Sequence, residues 1–168
     1  MEEIERYHRT LKERCRCVLS DMRPVGCNAY QYLHEQTVIC LVYFCIMMVN
    51  AVKAAKGISN RIAPHEIVNE RRLNFKHLQA AFGEYIEASV DAEVKNYMKG
   101  CTYSCISLGT SGKWQGSQVC FDLETGKVVF RRTITRLPIP KSIILVIKNW
   151  GKSQQNSDFK KSWNSGTV

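Results

Sequence analysis

The first residues of the chain that could do chemistry form a row near its beginning, in the segment EEIERYHRTLKER at residues 2 to 14 and just beyond it. One carboxylate and three cations recur there: Glu5, Arg9, Lys12 and Arg16. At about 100° per residue, a helix places all four within about 60° of one another. Carboxylate oxygens are ligands that Mg²⁺ prefers, and Arg and Lys neutralise backbone phosphates. The pattern therefore indicates either a metal ligand beside a bound nucleic acid or a solvated face with ordinary intrahelical ion pairs.

The helix that must carry this row is predicted to be amphipathic. Over residues 4 to 19, apolar side chains recur on a second, narrow stripe made of Ile4, Tyr7, Leu11, Cys15 and Val18. This spacing is typical of a helix that packs one face on a core, so we expect the stripe to face inward. The sequence Arg23-Pro24-Val25-Gly26 then ends the helix.

The net charge of the chain favours an anionic partner. Its 168 residues include 24 Lys and Arg against 15 Asp and Glu, which gives a formal net charge of +9. Counterion release rewards each phosphate that such a surface neutralises. Charge indicates only the class of partner, and a basic domain without a nucleic-acid partner is the alternative.

The eight cysteines are predicted to be reduced thiols rather than a disulfide framework. Cys40 and Cys45 lie inside an apolar run, where a free cysteine behaves as a small hydrophobic residue. Cys15-x-Cys17 and Cys101-x-x-x-Cys105 lack the paired spacing of a zinc site. The N-terminus is charged and shows no apolar signal segment. We therefore expect an intracellular protein, nuclear or cytoplasmic.

A second helix is predicted from about Ala29 to Ala55. Its apolar centre, Val38 to Val49, would be about 18 Å long, which is short of the roughly 20 residues that a bilayer needs. We therefore expect a buried helix and no membrane partner. A short helix with proline in its first turn follows at Ala63 to Val68, and then a polar connector to about Gln79.

The β-rich region begins near Phe82, where the hydrophobic pattern changes to alternation. Two strand-like runs meet at Glu124-Thr125-Gly126-Lys127, and Gly126 can supply the positive φ of a hairpin turn. Four cations of this region could follow a phosphate backbone or form a solvated strand edge: Lys127, Arg131, Arg132 and Arg136. Three aromatic residues could stack on bases or fill the core: Trp114, Phe121 and Phe130.

The predicted fold class is α+β. Residues 1–78 form a helical part, residues 79–140 form a small antiparallel, barrel-like β domain, and residues 141–168 form a terminal segment with a disordered tail. Leu137 to Pro140 ends the strands. The following run SIILVIKNW fits either a helix or a strand. The Ser-, Asn- and Lys-rich end is typical of disorder.

The segment ERYHRTLK resembles the region around the last catalytic glutamate of copia-type retrotransposon integrases. Other segments resemble the downstream part of the same polyprotein in the same order: Val49-Asn50-Ala51, Ala63 to Val68, Phe82 to Tyr85, and the run from Gly116-Ser117 through LETGKVVFRRTITRLPIP. The resemblance extends over about residues 2 to 148. No single motif is specific, and the order of the motifs carries the comparison.

This resemblance implies the end of a ribonuclease H-like catalytic core. In that family two aspartates and a glutamate hold Mg²⁺ or Mn²⁺ for in-line phosphoryl transfer. Glu5 would be the catalytic and metal-binding glutamate, and Arg9 and Lys12 would contact DNA. The family's aspartates lie upstream of the glutamate, whereas the aspartates of this chain all lie downstream: Asp21, Asp91, Asp122 and Asp158.

We therefore expect an integrase fragment that binds nucleic acid, holds the metal poorly and is catalytically inactive alone. Its expected partners are DNA, a second copy, or the upstream part of the integrase. The alternatives are a stand-alone basic nucleic-acid-binding module and a helical protein-interaction module. Salt-dependent DNA binding would distinguish the integrase fragment and the nucleic-acid-binding module from the protein-interaction module.

Overall fold

The computed structural model of the protein describes residues 2–22, 33–53, 59, 61–89, 101–113 and 115–164, with side chains from residue 3 to residue 153. Its helices are α1 (Glu2–Asp21), α2 (Glu35–Ala51), α3 (Pro64–Asn69) and α4 (Lys141–Asn164), with a short 3₁₀ helix at Phe75–His77. Its strands are β1 (Tyr85–Ser89), β2 (Thr102–Thr110), β3 (Gln118–Asp122), β4 (Val128–Arg131) and β5 (Ile134–Arg136). The predicted α+β class is confirmed.

The five strands form one antiparallel sheet in the order β4-β3-β2-β1-β5. In a flat sheet the two edge strands would lie about 19 Å apart. The link from Arg131 to Ile134 spans at most about 11 Å, so the sheet must curl to bring its edges toward each other. No ladder joins β4 to β5 in the described residues, and the sheet is therefore open.

The main core joins the helices to one face of this sheet. Its buried side chains come from Met22 directly after α1, from α2, from the strands and from α4, and they include Leu41, Ile106, Phe121 and Ile147. A smaller cluster around Ile86, Cys105 and Cys120 lies elsewhere on the sheet. Because residues before and after position 78 share the main core, the helical part and the sheet stabilise each other. The division at residues 78 and 140 stays a prediction.

The inward stripe predicted for α1 is wrong for its first two turns. Leu11, Cys15 and Val18 pack against the main core, but Ile4 is 65% exposed and Tyr7 is 39% exposed. The core residues of α1 begin at Leu11, so the first turns extend past the packed part of the helix. An amphipathic pattern predicts which face packs, but not how far along the helix the packing reaches.

The second helix is shorter and less covered than predicted. It begins at Glu35, where His34 Nδ1 accepts a hydrogen bond from the Gln36 amide at 3.2 Å, and it ends at Ala51. Residues 29–32 and 54–55 of the predicted helix lie outside the described residues. Leu41 and Cys45 are buried, but another face is exposed and carries Val38, Ile39, Val42 and Tyr43. The prediction of a buried helix is therefore wrong for that face.

The terminal segment is helical where a disordered tail was predicted. The open choice for SIILVIKNW is resolved as helix, and α4 continues to Asn164. The first turns of α4 pack on the core through Ile143, Ile144 and Ile147. Once a helix is nucleated, each added residue costs little, so the polar residues after Gly151 extend it. Residues 165–168 lie outside the described residues.

The hairpin predicted around Gly126 is confirmed. The Gly126 amide donates to the Asp122 carbonyl at 2.9 Å, and Gly126 has a φ of +68°. A Cβ at this position would lie 2.7 Å from the Trp150 ring, whose Nε1 donates to the Leu123 carbonyl at 3.1 Å. Glycine therefore serves both the turn and the packing of α4. The short helix at Pro64–Asn69 is also confirmed, with proline at its start.

No described helix has the length and apolar character that a membrane span requires.

The described cysteines are free thiols. Cys105 and Cys120 are fully buried, and burial raises the pKa of Cys105 to about 12 and that of Cys120 to about 11. The folded state therefore favours the neutral thiols. This contribution to stability is complete below the ordinary thiol pKa of about 8.5 and is lost as pH rises toward the folded pKa values.

We expect the buried thiols to resist alkylation in the native protein. At about pH 8, iodoacetamide should label exposed Cys17 and leave Cys105 and Cys120 unmodified, because the thiolate is the reactive form. Peptide mass spectrometry gives the extent of labelling at each site, and the protein unfolded in guanidinium provides the fully labelled control. Labelling of Cys120 as fast as Cys17 would contradict the burial.

Candidate nucleic-acid interface

The predicted row on α1 lies on an exposed face of that helix. The side chains of Glu5, Arg9, Lys12 and Arg16 are all exposed. They line one open groove of about 510 Å³ together with Ile4, His8 and Glu13. The structure therefore brings the four predicted residues together on one surface, as their spacing requires. Their assignment to metal and phosphate contacts stays a prediction.

Two residues of this groove were not anticipated from the row. His8 and Glu13 lie at its sides, and both are exposed. The helical wheel could have predicted both residues. At about 100° per residue, each lies within about 90° of the centre of the row. Glu13 adds a negative charge beside Arg9 and Arg16, which reduces the attraction of this end of the groove for phosphate.

The groove does not form a Mg²⁺ site by itself. Mg²⁺ needs several anionic oxygens, and Glu5 and Glu13 lie eight residues apart, which corresponds to about 12 Å along a helix. Within the described residues, no group of three His, Cys, Asp or Glu side chains could hold a metal ion. The residues present therefore do not fit the metal that the resemblance implies. Glu5 is one carboxylate in a cationic row.

The four cations of the β region do not form one row. Lys127 lies in the turn before β4, whereas Arg131 lies at the other end of that strand, about 13 Å away along an extended chain. Arg132 lies in the link to β5, and Arg136 lies on β5 beside Ile86 of β1. Arg131 and Arg132 are neighbours in the chain, whereas Arg136 lies four residues beyond Arg132, at the far end of β5. Lys127 is separate from them.

Arg131 is held in place by the sheet. Its guanidinium lies over the Tyr103 ring at 5.4 Å, its Nε donates to the Tyr103 hydroxyl, and its Nη1 donates to the Phe130 carbonyl at 2.9 Å. These contacts occupy several of the N–H donors of its guanidinium. Arg132 and Arg136 are exposed and have greater freedom to contact a ligand. Because these cations are dispersed and Arg131 is already held by the sheet, they are weaker candidates for phosphate contacts than the α1 groove.

The aromatic residues are divided between core and surface. Phe121 is 4% exposed and packs in the main core, so it does not stack on bases. Phe130 is 52% exposed, and the Lys113 ammonium lies 5.5 Å from its ring centroid. Trp114 lies outside the described residues.

Comparison with known proteins gives no family for the chain. It matches no protein-family model, no curated protein and no solved structure.

Proposed function

We propose that the chain is a nucleic-acid-binding part of a copia-type retrotransposon integrase, and that it contacts DNA phosphates through the α1 groove. The observation that carries this proposal is the shared exposure of Arg9, Lys12 and Arg16 along one helix face. The net charge of +9 supports the same class of partner. In this proposal the helices derive from a ribonuclease H-like core, and the curled sheet is the barrel-like domain that follows it.

Catalysis is not part of what the described residues provide. Phosphoryl transfer by two metals needs carboxylates grouped around both ions, and Glu5 lacks such a group within the described residues. We propose that Glu5 becomes catalytic only when other carboxylates are supplied by an integrase core. In isolation the chain binds DNA without cleaving it.

The direct test is the binding of a duplex oligonucleotide at several salt concentrations. If the α1 groove neutralises phosphates, DNA affinity falls steeply between roughly 50 and 200 mM salt. Fluorescence anisotropy gives the dissociation constant at each concentration. Absence of binding at low salt, or affinity that is indifferent to salt, would exclude the proposal.

A second assay separates an integrase part from a simple binding module. A core segment of a copia-type integrase that carries the two aspartates is added in trans with Mg²⁺ and labelled DNA. Nicking that appears with the wild-type chain and disappears with Glu5→Gln supports the integrase assignment. DNA binding without such nicking supports a binding module.

The exposed face of α2 favours a second candidate, which is a protein-interaction module. Val38 and Tyr43 are 43% and 70% exposed, and they lie with Ile39 and Val42 on a helix whose other face packs on the core. An apolar helix face of this kind can pack against a partner helix. Concentration-dependent self-association that is lost in Tyr43→Ser, together with salt-indifferent behaviour toward DNA, would favour this candidate.

We expect Glu5→Gln to strengthen metal-free DNA binding by about twofold, because it removes a negative charge from a cationic row exposed to solvent. Anisotropy titrations in EDTA measure the effect. The control is Glu124→Gln, which removes the same charge in the β3–β4 turn, where no change is expected. Weaker binding by Glu5→Gln without metal would place Glu5 in a different role.

A further inference from the structure

A second basic site lies away from α1, between the segment that follows α3 and the loop that follows β2. It is a cavity of about 260 Å³. Among the described residues, the charged side chains that line it are all cationic: Arg71, Arg72 and Lys113. Two histidines, His65 and His77, also line it. It shares no lining residue with the α1 groove, so the two sites are independent surfaces.

Arg71 is positioned by the loop after β2. Its Nη2 donates to the Gly112 carbonyl at 2.9 Å and is half-buried there, so the guanidinium has a fixed place beside the cavity. A guanidinium carries five N–H donors in a rigid fork, which suits the oxygens of a tetrahedral anion. Because this hydrogen bond joins residues 41 positions apart, the cavity exists only in the folded chain.

Among the described residues, the carboxylate of Glu66 lies next to the cavity. Arg72 Nε donates to both Glu66 carboxylate oxygens at 3.1 Å, and Arg72 is 78% exposed. Glu66 does not line the cavity, but it offsets part of the Arg72 charge. Lys113 also makes a contact outside the cavity, because its ammonium lies over the Phe130 ring. The net positive potential of the cavity therefore depends most on Arg71 and Lys113.

His65 also lines the cavity. Its Nδ1 is buried and has no hydrogen-bond partner, while its ring lines the cavity. A buried polar atom left without a partner costs free energy, of the order of 1–3 kcal/mol. Because this nitrogen is buried from solvent, a ligand oxygen in the cavity reaches it only when the imidazole ring turns toward the cavity.

His77, the last residue of the 3₁₀ helix, is held in place by its neighbours. A Cβ at Gly116 would lie 2.8 Å from the His77 ring, so the ring packs directly on that glycine. Asn74 Nδ2 lies 3.4 Å from His77 Nε2, and the His77 carbonyl accepts from Gln118 Nε2. The polar groups around the cavity are therefore arranged by the fold before any ligand arrives.

We propose that this cavity binds a phosphate group. A phosphate accepts hydrogen bonds on every oxygen, and the cavity is lined by the guanidinium of Arg71, the ammonium of Lys113 and the side-chain amide of Asn74. The ligand is either free inorganic phosphate or the phosphate of a nucleotide, which share the same recognised group. The proposal does not depend on DNA binding by α1.

The test follows the imidazole signals of the full chain by NMR at constant pH and ionic strength. Inorganic phosphate is titrated in one arm, and a nucleoside 5′-monophosphate in the other, with the matching nucleoside as the control for base contacts. Saturable shifts of the His65 and His77 signals with phosphate support a free-phosphate site. Shifts with the nucleotide alone, and none with its nucleoside, support a nucleotide phosphate. No saturable shift in either arm would overturn the proposal.

Three variants locate the binding. His65→Ala and Lys113→Gln should each weaken the apparent affinity, by about tenfold for a charge-assisted contact. Lys141→Gln removes the same charge at the exposed start of α4 and should leave the affinity unchanged. If His65→Ala does not fold, exposed Lys113→Gln still decides the question. Equal affinity of Lys113→Gln and Lys141→Gln would overturn the assignment, whatever the result for DNA.

Discussion

A variant that replaces Arg9, Lys12 and Arg16 by alanine is expected to lose affinity for duplex DNA by about a hundredfold at roughly 0.1 M salt. Each lost phosphate contact is expected to cost about 1 kcal/mol, and the three side chains share one exposed groove. Alanine is a strong helix former, so the replacement does not disturb α1. Fluorescence anisotropy with a labelled duplex measures the loss.

The control for this variant removes the same charge elsewhere. Arg14, Arg61 and Lys141 are exposed cations that do not line the α1 groove. Their replacement by alanine lowers the net charge by the same three units and should reduce affinity by only a few-fold. An equal loss in both triple variants would show that net charge, and not the groove, determines binding.

The replacement Ile86→Ala is expected to destabilise the fold by about 3 kcal/mol, within the 2–5 kcal/mol typical of such truncations. Ile86 is fully buried in β1 and packs with Cys105 and Cys120, so its truncation leaves a cavity in the middle of the sheet. Its neighbours belong to paired strands and have little freedom to fill the space. Urea denaturation followed by circular dichroism gives the free energy of unfolding.

Val68→Ala provides the matched apolar control, since Val68 is 80% exposed on α3. Its free energy of unfolding should stay within about 0.5 kcal/mol of the wild type. If Ile86→Ala changed stability no more than Val68→Ala, the smaller cluster would not be a core of the sheet.

Single residues with special backbone preferences predicted the hairpin turn and the start of the short helix. Gly126 marked the hairpin because the turn requires a positive φ, and Pro64 marked the start of α3 because proline suits a first helical turn. The α1 row was likewise predictable, since residues at helical spacing share a face whatever packs on the other side.

Features that depend on long-range packing were not predictable. The exposure of Ile4 depends on where the contacts of α1 with the core begin, and the continuation of α4 past Gly151 depends on the packing that nucleates it. The hydrogen bond beside the second cavity joins Arg71 to Gly112, 41 residues later, and no motif in the sequence indicates that contact. The separation of Lys127 from Arg132 likewise follows from the extended course of β4 between them.

The most direct test of the central claim is the slope of the logarithm of DNA affinity against the logarithm of salt concentration, compared between the wild type and the Arg9/Lys12/Arg16 alanine variant. Each phosphate neutralised contributes about 0.9 to that slope, so the account predicts a slope that is less steep by about 2.7 in the variant. Identical slopes for the two proteins would contradict phosphate binding by the α1 groove.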